Sequence, residues 1–80
     1  MDEKLKEMIA IGASVTANCI PCIRHHFTKA REVGLTDVEI KAAVQVGKMV
    51  RKGAAQKWDE EVSALLSSSA EEQKATCGCA

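Results

Sequence analysis

The segment from Asp37 to Leu66 most constrains what this 80-residue chain can become. Its polar residues Lys41, Gln45, Lys48, Lys52, Gln56, Asp59 and Ser63 stay within about 80° of one another at about 100° per residue. That narrow strip predicts one nearly continuous helix. Two apolar stripes flank it: Ile40, Val44, Gly47, Trp58, Val62 and Leu65 on one side, Ala43, Val46, Met49, Val50 and Gly53 on the other. A helix apolar over so much of its circumference must be covered on more than one side. Arg51 interrupts the first stripe, which predicts either a kink near Gly53 or a charge paired at an interface. No strand-like alternation occurs anywhere, so the expected fold class is all-α.

Two shorter helices precede this one. Asp2 can cap a first helix that carries Leu5, Met8, Ile9, Gly12, Val15 and Thr16 on one side and ends near Ala17. Gly12 on that stripe suggests close approach of another helix. A second helix is expected from about Cys19 to Val33, capped by Asn18, with Ile20, Ile23, Phe27 and Ala30 as packing residues and Gly34 as its stop. Thr36-Asp37-Val38-Glu39 reads as a capping box that opens the long helix. Residues 1–66 are thus read as one helical domain and 67–80 as a flexible polar tail that ends in Cys77-Gly78-Cys79.

One Trp, one Phe and no Tyr make any core aliphatic and thin, yet hydrophobic residues reach 46%. A domain this small buries a low fraction of its surface, so self-association around the third helix is expected. Eleven basic and eleven acidic residues cancel, which gives no electrostatic case for nucleic acid or an anionic membrane. No apolar run approaches a membrane span, and the charged N-terminus lacks a signal-peptide apolar block. A cytoplasmic location is expected, where four cysteines point to redox or metal chemistry more than to structural disulfides.

The chemistry-bearing stretch is Asn18-Cys19-Ile20-Pro21-Cys22-Ile23-Arg24-His25-His26. At helical spacing Cys19, Cys22 and His26 fall within about 60° of one another, while His25 points away. Pro21 is tolerated in a first turn, where amides have no intrahelical partner. The positive end of the helix dipole favours a thiolate there, and an imidazole one turn on is a suitable proton carrier. This is the layout of a reactive dithiol.

These residues carry a resemblance. Gly12-Ala13-Ser14-Val15-Thr16-Ala17-Asn18-Cys19-Ile20-Pro21-Cys22, then His26, Ala30 and Gly34, then Val50-Arg51-Lys52-Gly53-Ala54-Ala55, resemble the alkyl hydroperoxidase D-like / carboxymuconolactone decarboxylase family. The resemblance implies an all-helical fold that assembles into trimers or hexamers. It also implies a cofactor-free peroxidase or thiol–disulfide oxidoreductase, acting on a peroxide or disulfide substrate. By the family's pattern Cys22 is the attacking thiolate and Cys19 resolves it, with Glu7 and His26 as a proton relay. A dihydrolipoyl or thioredoxin-like reductant is the implied partner. Pro21 stands where the family's hydroperoxidases carry a histidine inside the pair. The decarboxylase members lack the cysteine pair, so lactone decarboxylation is not expected.

Without the resemblance, amphipathicity places Glu7 about 140° from the centre of the first helix's apolar stripe, as a solvated residue. It reaches the thiols only if that flank is buried too. The Lys48, Arg51, Lys52 and Lys57 cluster reads as a solvated face answered by Asp59, Glu60 and Glu61. The alternative function is a metal-binding module in which Cys77 and Cys79 complete a four-thiolate site with Cys19 and Cys22. A third reading is a structural helical oligomer with a vestigial dithiol. As a random coil, the ten-residue tether Ser67–Thr76 spans roughly 15–20 Å, enough to bring the tail pair to a core pair for disulfide exchange.

Overall fold

A computed structural model describes residues 1–68 as three helices: α1 (Glu3–Thr16), α2 (Ile20–Glu32) and α3 (Asp37–Ser68), with no strand among the described residues. Ser67 and Ser68 close α3; the rest of the expected tail, with Cys77 and Cys79, lies outside the described residues.

The helix ends are set by local chemistry. Asp2 caps α1, its carboxylate accepting the Lys4 amide at 2.9 Å. At the other end the Cys19 amide donates to the Ser14 carbonyl and the Asn18 amide to the Val15 carbonyl, each at 3.1 Å. Asn18 takes a left-handed φ of 54°. This is a Schellman closure, and Asn tolerates its left-handed position better than most residues. The expectation that Asn18 caps the second helix is therefore corrected: Asn18 ends α1, and Cys19, in an extended conformation, is the N-cap of α2.

α2 ends the same way. The Leu35 amide donates to Ala30 at 3.0 Å and the Gly34 amide to Arg31 at 3.1 Å, with Gly34 at φ 91°. Leu35 then drops into the core beside Ala30, the hydrophobic contact that usually accompanies this motif. The capping box forms as expected. The Glu39 amide donates to the Thr36 hydroxyl at 3.2 Å, and the Thr36 amide donates to the Glu39 carboxylate at 2.9 Å. α3 then continues through Gly53 as a single helix.

α1 packs against both α2 and α3. Ile11, Ala30, Leu35, Ile40 and Ala43 form a buried aliphatic centre, with Met8, Ile23, Phe27, Val33 and Val44 half-buried around it. α1 and α3 meet through glycine. A Cβ on Gly47 would lie 2.5 Å from the Gly12 carbonyl oxygen and 2.8 Å from the Val15 Cβ. The Thr16 hydroxyl bridges the crossing, donating to Gly12 O at 2.9 Å and Gly47 O at 3.1 Å.

The buried face of α1 differs from the expected apolar stripe. Glu7, Ile11 and Ser14 are buried, whereas Leu5 and Ile9 are 50% and 53% exposed. Beside Ile11 this flank carries Glu7 and Ser14, so apolar periodicity did not mark it as a buried face. Ile20, expected to pack, stays exposed at the first turn of α2. On α3 the face that carries Ile40, Ala43 and Gly47 runs on past the reach of α1, where Trp58 is 71% exposed. The molecule is accordingly elongated, 56 × 20 × 19 Å.

Two predictions arise from this packing. Gly47→Ala lowers the unfolding free energy by about 1–3 kcal/mol, because its methyl meets backbone that cannot step aside. Gly53→Ala raises it by about 0.5–1 kcal/mol, since open space surrounds that glycine and alanine favours helix. Urea titrations of the two variants check both signs. The second prediction concerns Glu39, whose carboxyl is held below its ordinary pKa by the Thr36 amide and hydroxyl. A carboxyl depressed in the folded state stabilises above its unfolded pKa, and that contribution disappears as pH falls through the folded pKa. Glu39→Gln therefore lowers the urea midpoint at neutral pH and shrinks the gap between neutral and acid midpoints.

Candidate functional site

The turn between α1 and α2 presents the cysteine pair. As N-cap, Cys19 directs its Sγ back along the first turn of α2, where it accepts the Cys22 amide at 3.3 Å. Pro21 occupies that same turn and removes an amide that needs no helical partner. Cys19 and Cys22 are joined in a disulfide, their Cα atoms 5.2 Å apart. Cys19 is half-buried and Cys22 exposed.

One turn further along α2, His26 Nδ1 lies 2.8 Å from Glu7 Oε1. Glu7 is only 3% exposed, because α2 covers the flank of α1 that it shares with Ile11 and Ser14. The expectation of a solvated Glu7, drawn from amphipathicity, is thus corrected. A buried carboxylate needs a partner, and His26, its side chain 28% exposed, supplies it across the helix pair. With Nδ1 engaged, Nε2 is the ring nitrogen left to exchange a proton, on the same helix as Cys22 and four residues on. His25 is exposed, its ring edge-on to that of His26 at 4.9 Å.

Arg51 does not belong to a solvated cluster. It is half-buried, and its Nη1 donates to Asn18 Oδ1 at 2.8 Å and to the Val15 carbonyl at 3.2 Å. The signal was its place in an apolar stripe; the partner is the α1–α2 turn of its own chain. Lys48, Lys52 and Lys57 are exposed as expected, and Lys57 pairs with Glu60 at 3.4 Å. Beside Cys19 a cleft of about 390 Å³ opens between this turn and α3, lined by Val15, Ile23, Val44, Lys48 and Arg51 among others. Sequence reasoning did not find that cleft, because its walls come from three helices.

Among the described residues, no group of three or more His, Cys, Asp or Glu is placed to hold a metal ion. The four-thiolate alternative relies on Cys77 and Cys79, outside the described residues. No described helix is long and apolar enough to cross a membrane.

The helical architecture agrees with a comparison against protein families, in which the carboxymuconolactone decarboxylase family matches residues 1–58. The chain belongs to the carboxymuconolactone decarboxylase family. The matched span includes Glu7, Cys19, Cys22, His26 and Arg51. Within known proteins, the chain is similar to "Uncharacterized protein 4 in cox locus" of Paracoccus denitrificans, 32% identical over 66 residues. That alignment covers 82% of this chain and 60% of the relative, so the chain spans less than two-thirds of the relative's length. No solved structure matches. This family member therefore carries a dithiol and a buried Glu–His pair on one short helix pair.

His26→Ala leaves Glu7 buried without its partner and lowers stability by about 1–3 kcal/mol. Glu7→Gln keeps a hydrogen-bonding group at the site and costs less. Arg51→Ala costs about 1–3 kcal/mol by releasing the Asn18 turn, and Arg51→Lys does not fully restore it, since a lysine lacks the planar fork. Chemical denaturation of the four variants measures the order.

Proposed function

We propose that the protein is a cofactor-free thiol–disulfide oxidoreductase of peroxidase type. One observation carries the reading: an exposed Cys22, bonded to a half-buried Cys19 at a helix N-terminus, sits one turn before His26 and its buried partner Glu7. In the reduced protein Cys22 attacks as the thiolate. With a hydroperoxide, its sulfur takes the terminal oxygen, the O–O bond breaks, and the alkoxide leaves with a proton supplied through His26. The Cys19 thiolate then attacks the Cys22 sulfenic acid, forms the disulfide and releases hydroxide, which is protonated to water. Pro21 inside the pair leaves the proton work to His26 and Glu7.

The return step uses the same geometry. An external thiolate attacks the exposed Cys22 sulfur, and Cys19 departs as a thiolate stabilised by the Cys22 amide. Thiol cycling of this kind suits a reducing compartment, the cytoplasm.

The working unit is a homo-oligomer, trimer or hexamer. This is supported by the α1–α3 groove, lined by Met8, Ile9, Gly12, Val46 and Val50, which is almost wholly apolar. Trp58 and Val62 prolong the core face of α3 beyond the chain's own helices. Such apolar area favours association.

Mixing purified reduced protein with peroxide, while thiol loss and bound metal are measured together, tests the chemistry. Cys22→Ser abolishes peroxide consumption; Cys19→Ser halts at a Cys22 sulfenic acid that dimedone traps. Intact consumption in Cys22→Ser refutes the assignment, and bound zinc with slow thiol oxidation favours a metal module instead. For assembly, Trp58→Asp dissociates the oligomer in sedimentation equilibrium; a folded wild-type monomer at micromolar concentration refutes it.

A further inference from the structure

The cleft beside Cys19 holds positive charge that the fold leaves uncompensated. Lys48 and Arg51 stand one turn apart on its α3 wall, and no acidic side chain lines it. Among the described residues the ion pairs involve His26, Lys29, Arg31 and Lys57, and neither Lys48 nor Arg51 takes part in one. Both acceptors of Arg51 Nη1, the Val15 carbonyl and the Asn18 amide oxygen, are neutral. A half-withdrawn guanidinium without a counter-charge favours an anion at its free edge. The rest of the lining is mostly apolar, Val15, Ile20, Ile23 and Val44, with Ser14 and Asn18 as neutral polar groups, and Cys19, bonded to Cys22, forms part of the wall.

We propose that this cleft seats an organic disulfide with a hydrocarbon body and a carboxylate. The carboxylate lies against Lys48 and Arg51, the hydrocarbon on Ile23 and Val44, and the sulfurs at the cysteine pair. This rests on the oxidoreductase reading and names its substrate class. The Cys22 thiolate attacks one substrate sulfur, forming a mixed disulfide and expelling the other half as a thiolate. The Cys19 thiolate then attacks Cys22 Sγ, closes the Cys19–Cys22 bond and expels the second half. The substrate disulfide gains two electrons from the protein dithiol, and the two thiol protons end on the released thiolates. The reverse sequence oxidises the corresponding thiol.

The test follows Cys19–Cys22 oxidation in the reduced full-length protein by quenched-flow peptide mapping. Three small disulfides of similar size are compared: 3,3′-dithiodipropionate, bis(2-hydroxyethyl) disulfide and cystamine. At low salt, Lys48→Glu is expected to slow the anionic disulfide about five- to tenfold and to speed the cationic one, with the neutral one changed less than about twofold. In the wild type, added salt slows the anionic reaction selectively, a readout that needs no variant. Equal changes for all three disulfides, or no change with charge or salt, overturns the cleft assignment while leaving the oxidoreductase reading intact. If none of the three disulfides oxidises the wild-type pair while peroxide does, this proposal falls and the peroxidase reading stands; if peroxide fails as well, both fall.

Discussion

The close crossing of α1 on α3 at Gly12 and Gly47 is the contact on which the rest of the arrangement depends. Gly47 is what permits it: a Cβ there would lie 2.5 Å from the Gly12 carbonyl oxygen, whereas one at Gly12 would meet only the Ala43 carbonyl at an ordinary 3.5 Å. Close approach lets the Thr16 hydroxyl reach the Gly47 carbonyl, and it brings Arg51, one turn further along α3, over the end of α1. There the guanidinium holds the Val15 carbonyl and the Asn18 side chain in the turn that leads directly into Cys19. The cysteine pair is therefore held from three sides: the Schellman closure of α1, the first turn of α2, and a side chain of α3.

The second organising feature is a cost rather than a gain. A carboxylate buried in a thin aliphatic core is unfavourable by itself, and Glu7 is tolerated because His26 meets it at 2.8 Å. The pairing also orients the imidazole: one ring nitrogen is taken by the carboxylate, and the other is left on the helix that carries Cys22. A wholly apolar residue at position 7 would pack more easily, but it would leave His26 without a fixed tautomer or orientation. The flank of α1 that looks wrong as a hydrophobic core is thus the one that fixes the imidazole of α2.

α3 is longer than its own chain can cover. Its core face begins against α1 at Ile40 and Ala43, passes Gly47 and Arg51, and continues to Trp58 and Val62 without a neighbour from α1 or α2. Together with the exposed Leu5 and Ile9 on the opposite flank of α1, this explains why an apolar content of 46% coexists with so small a buried centre.

Much of this was legible in the sequence, and the reason is locality. Helical periodicity, the Thr36–Glu39 capping box, the Gly34 stop and the cysteine spacing each involve residues within a turn or two of one another. Backbone geometry therefore determines them whatever the chain packs against. The shared face of Cys19, Cys22 and His26 is of the same kind. What tertiary structure decided was every choice between local options of similar energy. α1 carries its apolar stripe on one flank and Glu7, Ile11 and Ser14 on another, and only the position of α2 buries the second. Asn18 is competent both as an N-cap and in the left-handed position, and only its place after Val15 and beneath Arg51 selects the second. Arg51 could stand in solvent or be buried, and the glycine crossing of α1 and α3, contributed by residues 35 positions apart, brings its hydrogen-bond acceptors within reach.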